Sequence, residues 1–245
     1  MSGKLFVIEG LDGSGKGTQT ELLTRRLQGE GRAVRKLSFP RYGDPAAGAL
    51  TEYLHGSYGQ KPEDVNAYAA STFFAVDRYA SFRQDWRAAY LAGSLILCDR
   101  YTTSNAVHQT AKLPRGEWDG FLDWLYDFEF GKLGIPRPAA VFYLDMPPEA
   151  SQKLMDKRYA ASGEKDIHEQ DLAYLNHCRQ AALYLSLIHI FKVGLVGDGD
   201  HQVQAAALLA GGVDDFGAGH LAVGDVDAPV VDGQQLCLLY TSRCV

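Results

Sequence analysis

Basic residues are in short supply: 24 Lys and Arg stand against 30 Asp and Glu in 245 residues, for a net charge of −6. Such a balance gives no general electrostatic grip on a phosphate backbone, so no nucleic-acid partner is expected. Cysteine is sparse too. Cys98, Cys178, Cys237 and Cys244 form no C-x-x-C pair and no zinc spacing, which argues against a zinc module or a disulfide scaffold. With no legible secretory leader, scattered thiols predict a reducing, cytoplasmic setting. No apolar stretch approaches the roughly 20 residues a bilayer span needs, so no membrane partner is expected. An Asn-Lys-x-Asp motif is missing, which argues against a guanine-specific switch. What remains is a globular composition, 46% hydrophobic and 22% charged, of a size for one α/β domain or a domain with an appendage.

The most specific feature lies near the start. The apolar run of residues 5–8 leads directly into Glu9-Gly10-Leu11-Asp12-Gly13-Ser14-Gly15-Lys16-Gly17-Thr18. A buried strand feeding a glycine-rich loop and then a helix makes Gly10-x-x-x-x-Gly15-Lys16 a phosphate-binding loop. Converging backbone N–H groups and the helix dipole cradle an anion. The expected cradle runs over Gly10, Gly13, Ser14, Gly15, Lys16, Gly17 and Thr18, with Lys16 as the point charge that neutralises phosphate in transfer. The alternative, a glycine-rich turn before a surface helix, leaves the strand–loop–helix context unexplained. Binding of a nucleoside triphosphate is predicted. One letter departs from the general rule: Gly17 stands where Ser or Thr would hold magnesium, with Thr18 following.

Further along, apolar runs alternate with amphipathic stretches. Strands are predicted at 5–8, 33–38, 94–98 and 139–144. Helices are predicted at 15–27, 46–54, 62–92, 117–131, 147–158 and 167–183. The alternation predicts an α/β fold with a central parallel sheet covered on both faces, and ligands at the carboxyl ends of its strands.

Those strand ends carry candidate chemistry. The third strand stops at Asp99-Arg100-Tyr101. An Asp there is the usual second anchor for Mg2+, directly or through water; the alternative is a cap on a following helix through Thr102 and Thr103. Arg100 beside it suits a bidentate phosphate clamp. On the long helix, Phe74 and Arg78 are i, i+4 partners on one face. An aromatic plate with a guanidinium one turn away suits a planar base bearing carbonyls; the alternative is a core Phe and an Arg paired with a surface acid. The charged, small-residue-rich segment at about 157–168 reads as a lid, with Arg158 or Lys165 as the cation it brings, or else as a solvated loop.

Taken together, these residues resemble the bacterial thymidylate kinase (dTMP kinase) family over residues 1–185. The matching pieces are Glu9-Gly10-Leu11-Asp12-Gly13-Ser14-Gly15-Lys16, Phe39-Pro40, Phe74-x-x-x-Arg78, Asp99-Arg100-Tyr101 with Ser104, and the lid after Lys157-Arg158. The resemblance implies a three-layer α/β/α P-loop fold with a lid, and phosphorylation of dTMP to dTDP by ATP with Mg2+, a step toward dTTP. It implies that Asp12 contacts the sugar 3′-OH, Phe74 stacks on thymine and Arg78 donates to a base carbonyl. Arg100 then holds the acceptor phosphate, Asp99 organises the metal and that phosphate, and Ser104 lies near the base. Lys16 and a lid arginine, Arg158, stabilise the γ-phosphoryl group. A homodimer is implied as well. The Gly17 variant occurs in nucleoside-monophosphate kinases. Two departures stand out: Tyr42 occupies a position where some members carry arginine, Arg41 coming one earlier, and His108 stands where an aromatic residue is common near the sugar 2′ position. The rivals are another nucleotide or deoxynucleoside kinase, and a nucleotide-binding module without turnover.

The second rival gains from the last 60 residues. Before residue 186, 22 cations face 23 acids; after it, Lys192 and Arg243 face seven Asp and no Glu. Of residues 193–233, 31 are Gly, Ala, Val or Asp, whose codons all begin with G. The family pattern stops near residue 185. Residues 186–245 therefore read as coding sequence translated out of frame or joined from elsewhere, which would leave the family's fifth strand and adenine-side loop absent; the alternative is a genuine acidic extension.

Overall fold

The computed structural model describes residues 2–146, 151, 155, 172–188, 190–191 and 235–239. Strand β1 (Leu5–Gly10) is buried along its whole length. Helix α1 (Lys16–Gly29), strand β2 (Val34–Ser38) and helix α2 (Gly48–Leu54) follow. Helix α3 (Ala67–Ser81) continues through a π-helical turn, Phe82–Trp86, into α4 (Arg87–Leu91). Strand β3 (Leu95–Asp99) and helix α5 (Thr102–His108) come next, then α6 (Trp118–Tyr126), prolonged by a second π turn, Asp127–Lys132. Strand β4 (Ala140–Asp145), helix α7 (Leu172–Ile188) and strands β5 (Ile190–Phe191) and β6 (Gln235–Leu239) complete the order.

The sheet runs β2-β3-β1-β4-β6-β5. The first four strands are parallel, with Ile8 opposite Asp99 and Phe142. The sequence alternates sides as a strand buried on both faces must. Leu5 and Val7 share a core with Ile96, Cys98, Val141 and Tyr143, beneath Val107, Phe121, Leu125 and Cys178 of α5, α6 and α7. Phe6 and Ile8 point the other way, onto Leu23 and Leu27 of α1. These are the three expected layers. Chain order reverses between β3 and β1, so the crevice at their carboxyl ends is where such sheets bind ligands.

Three expectations need correction. The helix expected over 62–92 is broken: Pro62–Asp64 is a separate 3-10 turn and Asn66 starts α3 as its N-cap, its side chain accepting from Ala69 N at 2.8 Å. The helix expected over 117–131 leaves α geometry at Asp127. And the sheet does not stop at four strands, because β6 pairs antiparallel with the outer edge of β4. The helix expected over 147–158 lies outside the described residues apart from helical Ser151 and Met155. Among the described residues no helix is long and apolar enough to cross a membrane.

Candidate functional site

The phosphate loop sits between the carboxyl end of β1 and the first turn of α1, where helical N–H groups have no intrahelical acceptor. Gly13 shows why the loop is glycine-rich. Its φ is +78°, and a Cβ there would stand 2.6 Å from the Ser151 carbonyl oxygen. Only glycine fits both the backbone and the gap. Gly15, with φ 83°, is the N-cap of α1. Lys16 folds back so that Nζ donates to the Leu11 carbonyl at 2.8 Å. Burial and then the nearby Arg100 pull its ammonium down to about 8, against Asp12, Asp99 and Glu9.

Arg100 follows β3 in a left-handed conformation, φ 65°, uncommon for a residue with a side chain. Its N–H donates to the Ile8 carbonyl at 3.1 Å. Its guanidinium pairs with Asp12, approaches Glu9 to 3.9 Å, and lies 3.4 Å from both Ser104 Oγ and His108 Nε2. Burial works against its charge, but Asp12, Glu9 and Asp99 outweigh burial and keep it cationic. Burial likewise raises the Asp12 carboxyl, and Arg100 and Lys16 overcome it and hold that carboxyl well below the usual range. Asp12, Lys16, Asp99, Arg100 and Ser104 thus converge on one crevice.

Asp99 ends β3 beside the loop. Its Oδ2 lies 3.3 Å from the point where a Cβ on Gly17 would sit, and its Oδ1 is buried with no hydrogen-bond partner. An orphaned hard carboxylate oxygen next to a phosphate cradle fits Mg2+, which takes one or two carboxylates and completes its shell with phosphates and water. Among the described residues no group of three His, Cys, Asp or Glu stands together as a metal cage.

Phe74 is half-buried, edge-on to Tyr53 at 6.2 Å and 84°. Arg78 is 1% exposed, and its acid is not at the surface. It forms a bidentate pair with the fully buried Glu129, Nε to Oε2 at 2.7 Å and Nη2 to Oε1 at 2.5 Å. Arg41 is taken up by Asp77 and Asp44. Arg158, Lys165 and the lid at about 157–168 lie outside the described residues.

Sequence reasoning passed over three groups. Glu9, 1% exposed, accepts from Thr103 Oγ1 at 3.0 Å and Ser104 Oγ at 2.8 Å, fixing α5 to the end of β1. Asn105 donates to the Ser71 carbonyl at 3.1 Å and Glu129 at 3.2 Å. Glu129 had a signal: Trp118, Leu122 and Leu125, all buried, precede it at helical spacing, which puts the carboxylate on the buried stripe. His108 is buried, with Nδ1 3.5 Å from Cys178 Sγ; burial and Arg100 draw its imidazole down to about 3.

Comparison with known proteins gives a consistent result. A family model described as thymidylate kinase matches residues 8–192. The thymidylate kinase of Mycobacterium tuberculosis (strain H37Rv) is 38% identical over 137 residues, 55% of this chain and 62% of the relative. That of Thermomicrobium roseum is 31% identical over 179 residues, 73% of this chain and 78% of the relative. The chain thus spans less than two thirds of the mycobacterial relative's length. Among solved structures, thymidylate kinase from Candida albicans superposes with a TM-score of 0.56 at 23% identity, covering 75% of this chain and 77% of that one, a likeness of fold.

Proposed function

The chain belongs to the thymidylate kinase family, and from that premise we propose that it transfers the γ-phosphoryl group of ATP to dTMP, giving dTDP and ADP. The observation that carries the reading is the convergence of Lys16, Asp12, Arg100 and Asp99 at the carboxyl ends of β1 and β3. Two cations and two carboxylates at the mouth of a phosphate loop suit a donor polyphosphate facing an acceptor phosphate.

In this reading the P-loop N–H groups from Gly10 to Thr18 cradle the donor phosphates. Lys16, now resting on the Leu11 carbonyl, swings to the transferring group. Arg100 exchanges Asp12 for the acceptor phosphate, and the freed Asp12 accepts from the sugar 3′-OH. Phe74 stacks on the base and Arg78 donates to a base carbonyl, with Ser104 nearby. An acceptor-phosphate oxygen attacks the γ-phosphorus in line, the bond to the β-bridging oxygen breaks, and ADP leaves. Little covalent chemistry falls to the protein; positioning and charge stabilisation supply the rate. Mg2+, when bound, neutralises charge on the donor phosphates, and Asp99 is the residue that would hold it. A lid cation, Arg158, would close over the transferring group.

Residues 1–185 form the catalytic unit in this reading; the family match runs on to residue 192, and the segment beyond it is foreign to the family pattern. A homodimer is inferred from the family resemblance, and a cytoplasmic location from the scattered thiols. A coupled ADP-release assay with dTMP, dUMP, dCMP, AMP and thymidine tests the proposal. Turnover selective for dTMP, lost in Lys16→Ala without loss of fold, is expected. Near-normal rates in that variant, or a preference for another acceptor, would sink it.

A further inference from the structure

The buried Glu129 carboxylate gathers four donors from two other elements. Arg78 Nε and Nη2 reach it from α3, Thr102 Oγ1 at 2.8 Å and Asn105 Nδ2 at 3.2 Å from α5. It arrives on a π turn, where one extra residue re-aims a helix face, a feature frequent at functional sites. A buried charge is tolerated when paired and fully hydrogen-bonded, as here. The consequence lies in what its partners have left.

A carboxylate only accepts. Asn105 must therefore turn its amide nitrogen toward Glu129, and the Ser71 carbonyl takes the same nitrogen's second proton at 3.1 Å. The group Asn105 has left is its Oδ1 acceptor. Arg78 has no acceptor; with Nε and Nη2 on Glu129 and Nη1 toward the Tyr101 carbonyl at 3.4 Å, its remaining N–H groups offer donation alone. An edge that meets both residues must present an acceptor beside a donor. The 4-carbonyl and 3-N–H of thymine or uracil do so; the amino group and ring nitrogen of cytosine present the reverse order.

We propose that Glu129 is a positioning residue that sets the donor–acceptor polarity of the base site, through Arg78 and Asn105, for a 4-oxo pyrimidine. The inference rests on the assignment of this crevice to a pyrimidine monophosphate. In Glu129→Gln the new amide can donate to Asn105, so Asn105 is free to turn over, and Arg78 loses its ionic partner.

Calorimetric titration of the full chain with dTMP, dCMP and ATP tests this. The parent chain is expected to favour dTMP over dCMP. In Glu129→Gln, dTMP affinity should fall about 10- to 100-fold, the size of one charge-assisted hydrogen bond. The dTMP-to-dCMP ratio should collapse while ATP affinity holds. A uniform loss with the ratio intact would reduce Glu129 to a structural role and overturn the proposal. If Glu129→Gln shows no cooperative unfolding, Thr102→Val, which removes one donor and loosens the carboxylate, should move the same ratio in the same direction; an unmoved ratio overturns the proposal there too. Binding is read without turnover. A chain that binds dTMP selectively yet releases no ADP would sink the phosphotransfer reading and leave Glu129 its role; a parent chain that binds neither pyrimidine would overturn both.

Discussion

Asp99 and Gly17 meet across the mouth of the phosphate loop, with Oδ2 of the aspartate 3.3 Å from the position of a Cβ that Gly17 does not have. This gives a physical reason for the one letter in which the loop departs from the general P-loop pattern. A side chain at position 17 would push on the carboxylate proposed to hold magnesium.

Gly17→Ala should therefore separate stability from activity. Gly17 lies in the first turn of α1 and is exposed, so alanine should stabilise the helix by a few tenths to about 1 kcal/mol. The added Cβ forces Asp99 to give by a few tenths of an ångström, and turnover should drop roughly tenfold, as small misplacements in a phosphoryl-transfer site do. Thermal unfolding together with a magnesium titration of the rate checks this. Unchanged turnover at all magnesium concentrations would remove Asp99 from the metal's coordination.

The Arg78–Glu129 pair makes a second prediction, about stability alone. Removing one partner strands a buried charge, so Arg78→Met should cost about 3–5 kcal/mol. The double variant Arg78→Met with Glu129→Gln should recover most of that loss, because no charge is left unpaired. Urea unfolding of both single variants and the double measures the coupling; additive losses would mean the pair is not the unit the geometry indicates.

How far these features could be read beforehand differs by kind. The alternation of Leu5 and Val7 against Phe6 and Ile8, and the loop after them, are local patterns, and the layers and the phosphate cradle follow from them. Asp99 was legible because a strand end beside a P-loop has few uses. The break at Asn66 was not. Pro62 is an equally good start signal, and only the packing of Ala67 and Ala70 decides which one begins α3. The π turns at Phe82–Trp86 and Asp127–Lys132 add one residue to a turn, and no composition rule marks that. The sequence offers helix α5 only as something Asp99 could cap through Thr102 and Thr103; Glu9, which holds Thr103 and Ser104, lies 94 and 95 positions earlier. Partners that distant are a property of topology, as is the pairing of β6 with β4.

His108 supplies a pH prediction. Its imidazole falls from an ordinary 6.5 to about 3, through burial and the adjacent Arg100. The folded value lies below the unfolded one, so between about 3 and 6.5 the unfolded chain holds the extra proton. Stability then rises with pH across that window and is lost as pH falls through it, by up to about 1.4 kcal/mol per pH unit for one proton. His108→Gln should flatten this part of the profile while leaving stability above pH 7 with no such slope. Chemical unfolding of both chains from pH 7 down to about 4 makes the comparison, and parallel profiles would show that His108 is protonated in the fold.

The last prediction concerns where the chain can be cut. Helix α7 is clasped to the site: Tyr174 donates to the His108 carbonyl at 2.7 Å, and Arg179 holds Asp145 at the end of β4 bidentately, at 2.7 and 2.8 Å. It also buries Tyr174, Leu175, Cys178, Ala181, Ala182 and Leu185. The larger of these side chains are worth about 1.5–3 kcal/mol each, which together rivals a typical domain's whole stability of about 5–15 kcal/mol. A chain ending at residue 171 should therefore fail to unfold cooperatively. Among the described residues, a chain ending at Ile188 loses only β5 and β6. That leaves the edge of β4 unpaired, a liability for association, but keeps Asp12, Phe74, Arg78, Arg100 and all of α7. It should melt a few degrees lower and bind dTMP with affinity close to the full chain's. Calorimetric melting and dTMP titration of both truncations decide the matter: cooperative unfolding of the shorter chain at the temperature of the longer would mean α7 is not part of the core, and loss of dTMP binding in the longer would mean the site depends on the strands beyond it.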